Sequence, residues 1–160
     1  MKAVPVGKRT SPTVLPGHAF TIVLGDDLER ASAYAFDRAV GLALRVPGSR
    51  LQVVHVAHQD TTETDVHRMT AMLHAYVEEM CRTHPDQSVS LHVQRGEPAQ
   101  VITRIAADVR ADLILVGAPT RMHTLEPWQV SLGARLARVT PVPVLVVEPP
   151  AAAAVARTAT

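Results

Sequence analysis

Aliphatic runs alternate with helical stripes along most of the chain. Phe20-Thr21-Ile22-Val23-Leu24-Gly25 reads as a first strand, and apolar residues then recur at 28, 31, 35, 39, 42 and 46 between Leu28 and Val46. That spacing marks one face of a helix, and Pro47-Gly48 ends it. Leu51-Gln52-Val53-Val54-His55-Val56 reads as a second strand, and Val66, Met69, Leu73, Val77 and Met80 form the stripe of a second helix. Val89 to Val93 alternates as a third strand. Pro98 stands where a helix's first turn tolerates a missing N–H, and Ile102, Ile105, Ala106 and Val109 carry the buried stripe that follows. Leu113-Ile114-Leu115-Val116-Gly117 is a fourth strand, a loop leads to a fourth helix near Gln129–Val139, and Pro141 to Val147 is a fifth strand.

Strictly alternating strands and helices imply an α/β fold: a five-stranded parallel sheet in a three-layer α/β/α sandwich, joined by right-handed crossovers. Pro141 and Pro143 put the fifth strand at an edge, because proline cannot donate to a ladder. An aliphatic edge invites pairing with a second copy. Residues 18–148 are expected to form the single domain. Residues 1–17, rich in Pro, Lys, Arg, Ser and Thr without periodicity, are expected to be a flexible arm, and the Pro/Ala-rich residues 149–160 a disordered tail.

Composition narrows the picture further. Of the 160 residues 47% are hydrophobic but only 3% aromatic, so the core must be built from Val, Leu, Ile, Ala and Met, as suits a parallel sheet buried on both faces. The net charge of +1 comes without any block of like charge, which implies neither nucleic acid nor an anionic membrane as partner. Cys81 is the only cysteine. It excludes an internal disulfide and fits a reducing compartment, so the cytoplasm is expected. No apolar run approaches the ~20 residues that span a bilayer, and Met1 to Thr13 has no apolar region of the kind a secretory signal needs.

Ligands on such sheets bind beyond the carboxyl ends of the strands, where strand order reverses. Here that places candidate contacts at Gly25, Asp26, Asp27, Val56, Val116 and Gly117. Asp27 fits either a ribose contact or the cap of the first helix. The eight histidines do not assemble into a metal motif: His55 and His58 flank a strand end, and His67 and His74 are seven residues apart on a helix. Ser131 in Gln129-Val130-Ser131-Leu132-Gly133 lacks the first glycine of a hydrolase nucleophile elbow. Cys81 and the methionines Met69, Met72 and Met80 read as core filler. No catalytic or metal residue is therefore assigned, and the chain reads as a binding module, not an enzyme.

Several segments, taken in order, resemble the universal stress protein family across nearly all of residues 20–147. They are Ile22-Val23-Leu24-Gly25-Asp26-Asp27, Ala35-Phe36, Val54-His55-Val56, Gly96-Glu97-Pro98-Ala99 and Ala111-Asp112-Leu113-Ile114-Leu115-Val116-Gly117. Ser131 to Arg135 and Pro141 to Val147 complete the set. The resemblance implies that family's adenine nucleotide alpha hydrolase-like fold, a stress-response role, and a homodimer through the fifth strand with Val142, Val144 and Val146 as contacts. It also implies an unidentified regulatory protein partner.

Members that bind ATP are similar to a pattern Gly-x-x-Gly, nine residues, Gly-Ser or Gly-Thr. Here Gly117 and Ser131 fill the outer positions, but Thr120 and Val130 replace two glycines, and the stretch between holds Trp128 and Glu126. Glycine lets backbone amides approach phosphate closely; a β-branched residue there does not. The expectation is therefore a regulatory dimer that needs no cofactor. The alternative is an ATP or AMP sensor using Asp27, Thr120, Arg121, Ser131 and Leu132 around a variant loop.

Overall fold

A computed structural model describes residues 17–27, 30–82, 84–118 and 131–149. Apart from Gly17 and Pro149, the expected arm and tail lie outside them, as do Thr120, Arg121 and Val130. The elements run β1 (Thr21–Gly25), α1 (Arg30–Ala43), β2 (Arg50–Ala57), α2 (Glu63–Cys81), β3 (Ser88–Arg95), α3 (Pro98–Asp108), β4 (Leu113–Gly117), α4 (Leu132–Val139) and β5 (Val144–Val147). The strands pair in parallel in the order β3-β2-β1-β4-β5. This is the three-layer architecture that the alternation of strands and helices implies.

Side-chain parity in β1 divides the core. Ile22 and Leu24 point to one face and join Phe36, Ala39, Leu51, Val53, Leu73 and Val77 under α1 and α2. Val23 points to the other and joins Val54, Ile102, Ile105, Ile114, Val116 and Leu136 under α3 and α4. Phe36, Ile22, Leu24 and Leu73 are fully buried, and each such side chain contributes roughly 1.5–3 kcal/mol by leaving water. The start of β1 is held by Asp112. Its N–H donates to the Thr21 carbonyl at 2.8 Å, and its carboxylate accepts from the Thr21 N–H at 2.8 Å and lies 2.9 Å from His18 Nε2.

β3 alternates over its first residues, where α2 packs on one face. Val89, Leu91 and Val93 pack on the first cluster, whereas Ser88 and Ser90 are exposed. His92, half-buried on the same face, lies 2.7 Å from Gln52 Oε1, and burial there lowers its pKa.

β1 starts one residue later than the sequence expectation, β2 extends one residue at each end, β3 runs from Ser88 to Arg95, beyond the expected Val89 to Val93, and three further boundaries differ for reasons that the hydrogen bonds show. α1 stops at Ala43, not Val46, because its last turn tightens: Arg45 and Val46 donate three residues back, to the Leu42 and Ala43 carbonyls. α4 starts at Leu132 because Ser131 has left helical geometry (φ −57, ψ 153) to cap it, its hydroxyl accepting from Ala134 N–H at 3.3 Å. β5 shortens to four residues behind Pro141 and Pro143, although the Pro143 carbonyl still accepts from Ile114 at 2.9 Å. Met72 is not core filler: it lies off the stripe that seats Leu73 and Val77, and it is exposed.

Two packing features join α4 to its surroundings. Gly133 lies against Val146 so closely that a Cβ would collide with Val146 Cγ2. Glu97, the N-cap of α3, accepts from Ala99 N–H at 3.0 Å and Gln100 N–H at 2.9 Å, and its carboxylate also pairs with Arg135 of α4. Burial alone would raise the Glu97 pKa. The two amide donors and the Arg135 guanidinium outweigh it and hold the carboxyl below the usual glutamate range.

Both features give expected outcomes in denaturant titrations. Gly133→Ala should cost about 1–3 kcal/mol by overpacking, and most of that loss should return in the Gly133→Ala, Val146→Ala double variant. Glu97→Ala should cost about 1 kcal/mol at neutral pH. Because the native pKa is depressed, the wild type's advantage should begin to fade as pH falls through about 4.3 and vanish below the native value.

Candidate functional site

β1 is the strand where chain connectivity changes direction. β2 flanks it on one side through α1, β4 on the other, and the crossover into β4 carries α3 to the opposite face. Splaying the connections this way opens a crevice beyond the carboxyl ends of the strands. A cleft of about 210 Å³ lies there, lined by Gly25, Asp26 and Asp27 after β1, Val54, His55 and Val56 of β2, and Val116 and Gly117 of β4, and closed by Pro98, Ile102 and Leu132 from α3 and α4.

The sequence-derived candidates therefore converge. Gly25, Asp26, Asp27, Val56, Val116, Gly117 and Leu132 all line this one cleft, and Ser131 adjoins it as the cap of α4. Thr120 and Arg121 lie outside the described residues. Gly25 sits close under its neighbours: a Cβ there would meet Ile102 Cδ1 and Val116 Cγ1 at 3.0 Å each and press on both side chains at the floor of the cleft.

Pro98 and Ile102 were not singled out as contacts. They reach the crevice because α3 crosses from the carboxyl end of β3 toward β4, a placement that no local pattern gives. His55 also borders the cleft, buried, with its ring Nδ1 2.9 Å from the Asp26 carbonyl. That contact secures the β1 exit against β2, as does the Asp26 N–H, which donates to the Val54 carbonyl at 2.9 Å.

The walls are chemically divided. Val54, Val56, Ile102, Val116 and Leu132 offer an apolar slot. Two carboxyl-bearing residues lie at the β1 end, Asp26 buried and Asp27 exposed. Tyr76 does not line the cleft: it packs edge-on against Phe36 in the cluster under α1 and α2, where burial, with further contributions from Asp26 and Asp37, pushes its phenol well above the ordinary pKa. Ser131 Oγ accepts its helix's Ala134 N–H and keeps its own O–H to donate. Among the described residues no group of three or more His, Cys, Asp or Glu is gathered to hold a metal ion, and no helix is long and apolar enough to cross a membrane.

Of the three expected dimer contacts, Val142 and Val144 are half-buried against the cluster under α3 and α4. Val146 remains 44% exposed, beside Leu145 at 42%.

Comparisons with known proteins agree with this architecture. A crystal structure of a universal stress protein in complex with cAMP superposes with a TM-score of 0.63 at 22% identity, covering 81% of this chain and 97% of that one. A universal stress protein from Archaeoglobus fulgidus in complex with dAMP gives 0.60 at 19%, covering 81% and 97%. The universal stress protein UspA from Lactobacillus plantarum gives 0.57 at 22%, covering 81% and 99%. No curated protein sequence matches the chain. The model of the universal stress protein family matches residues 19–148, which is most of the chain. The chain belongs to the universal stress protein family.

Proposed function

We propose that this chain is a stress-response binding module whose cleft takes an adenine nucleoside or nucleotide and which acts by binding, not turnover. The carrying observation is convergence: six residues chosen for their place at strand ends, with Leu132 at the start of α4, line one cleft at the switch point. Its chemistry suits the ligand. The apolar slot between Val54, Val56, Ile102 and Leu132 fits a flat base, Asp27 can accept from ribose hydroxyls, and the Ser131 O–H stands at the amino end of α4, where a phosphate is favoured. Structures of similar fold are complexes with cAMP and dAMP, which supports the same ligand class here. Substitution of the loop glycines by Thr120 and Val130 argues for recognition through base and ribose more than through a polyphosphate cradle. The reading thus moves from the nucleotide-independent module that the eroded motif favoured to its alternative.

Isothermal titration of the full chain with AMP should give saturable, stoichiometric heat. Mass spectrometry of what the purified protein releases on denaturation should find an adenine nucleotide. Asp27→Ala should weaken AMP roughly tenfold or more by removing charged hydrogen-bond acceptors. No heat at millimolar adenosine or AMP would refute the reading.

The cytoplasm remains the proposed compartment, and the homodimer, also part of the proposal, rests on a separate observation. β5 is an edge strand that exposes Leu145 and Val146, and Val139 at the end of α4 is 57% exposed. An open aliphatic edge of this kind favours pairing with a second copy. Sedimentation velocity should find a dimer, and Leu145→Lys should shift it to monomer without unfolding it; an unchanged dimer would place the interface elsewhere.

A further inference from the structure

The amino end of α3 already holds a carboxylate, and that carboxylate is already paired with an arginine. Glu97 takes the Ala99 and Gln100 amides, the donors that an incoming phosphate would seek at a helix start. Its partner Arg135 is thereby committed. The position of this pair matters. Glu97 immediately precedes Pro98, which lines the cleft, and Arg135 stands one turn beyond Leu132, which lines it too. The ion pair therefore ties together the two helix starts at the cleft's edge.

The rest of the cleft offers little to a polyanion. Among the described lining residues there is no lysine or arginine, and the ionisable ones are Asp26, Asp27 and His55. By sequence, residues 119–130 carry one arginine and one glutamate, so that stretch adds no net positive charge with histidine neutral. One phosphate has a donor in the Ser131 O–H at the start of α4. A second or third phosphate brings further negative charge beside Glu97, with no uncommitted cation among the lining residues to meet it.

Resting on the nucleotide reading above, we infer that the cleft selects its ligand by charge, taking adenosine and AMP in preference to ADP and ATP, with Glu97 as the specificity-determining residue. Like charges near a protein surface repel strongly at low ionic strength and weakly at high. The preference is therefore salt-dependent.

The test is isothermal titration of the full chain with adenosine, AMP, ADP and ATP, at low and high salt. The expected result is AMP binding about tenfold tighter than ATP at low salt, with the gap closing as salt rises. Glu97→Gln should narrow the AMP-to-ATP ratio at least about threefold, and Arg135→Gln, which leaves the carboxylate uncompensated, should widen it. Arg135→Gln keeps the α3 cap and so reads the effect even if Glu97→Gln weakens that helix. ATP binding as tightly as AMP, or a ratio that neither substitution moves, overturns this inference and leaves the nucleotide reading standing. No heat with any of the four ligands, adenosine included, overturns that reading and this inference with it.

Discussion

The structure depends on burying β1 on both faces at the centre of a parallel sheet. Thr21 to Leu24 are almost wholly removed from water, and every backbone polar group of a buried strand needs a partner. β1 finds them in β2 and β4, in a register fixed from Thr21 opposite Arg50 to Gly25 opposite Val116. Parallel neighbours can be reached only through crossovers. Because the two neighbours are reached by crossovers on opposite faces, the connections part above β1 and leave a cleft. The site is a consequence of satisfying the central strand, and Asp112, pinning the strand's first residue, sets where its carboxyl end falls.

The cleft's chemistry then follows from which residues end the strands and begin the helices. Strand parity puts Val54 and Val56 on the α3 side and sends His55 to the other, where its ring braces the Asp26 carbonyl. At the floor, a Cβ on Gly25 would press on Ile102 and Val116. Apolar slot, carboxylate and capped helix starts are thus separate local solutions brought to one end of the sheet.

Much of this was legible in the sequence. Aliphatic runs located β1, β2, β4 and β5, since strands buried on both faces leave little other choice of residue, alternation located the half-covered β3, and Pro141 with Pro143 marked the edge. Switch-point reasoning placed Gly25, Asp27, Val56 and Gly117 at one site without any contact information. What escaped were features fixed by geometry between distant elements. Pro98 and Ile102 line the cleft because of how α3 crosses the sheet. The Glu97–Arg135 pair spans 38 residues of sequence, and no local pattern announces it. Helix ends escaped for a different reason: periodicity continues through Val46, while the hydrogen bonds have already tightened at Ala43.

α4 links the two surfaces that the chain presents. Its cap, Ser131, and first residue, Leu132, border the cleft; its next residue, Gly133, lies directly against Val146 of the exposed edge strand. Arg135, two residues further on, reaches back to the cap of α3. An eight-residue helix is too short to hold its shape alone, so its seating is set by these contacts. Close packing at Gly133 leaves no slack to absorb a shift. The start of α4 is therefore fixed from three sides at once: by the cleft through Leu132, by the edge strand through Gly133 against Val146, and by the cap of α3 through Arg135.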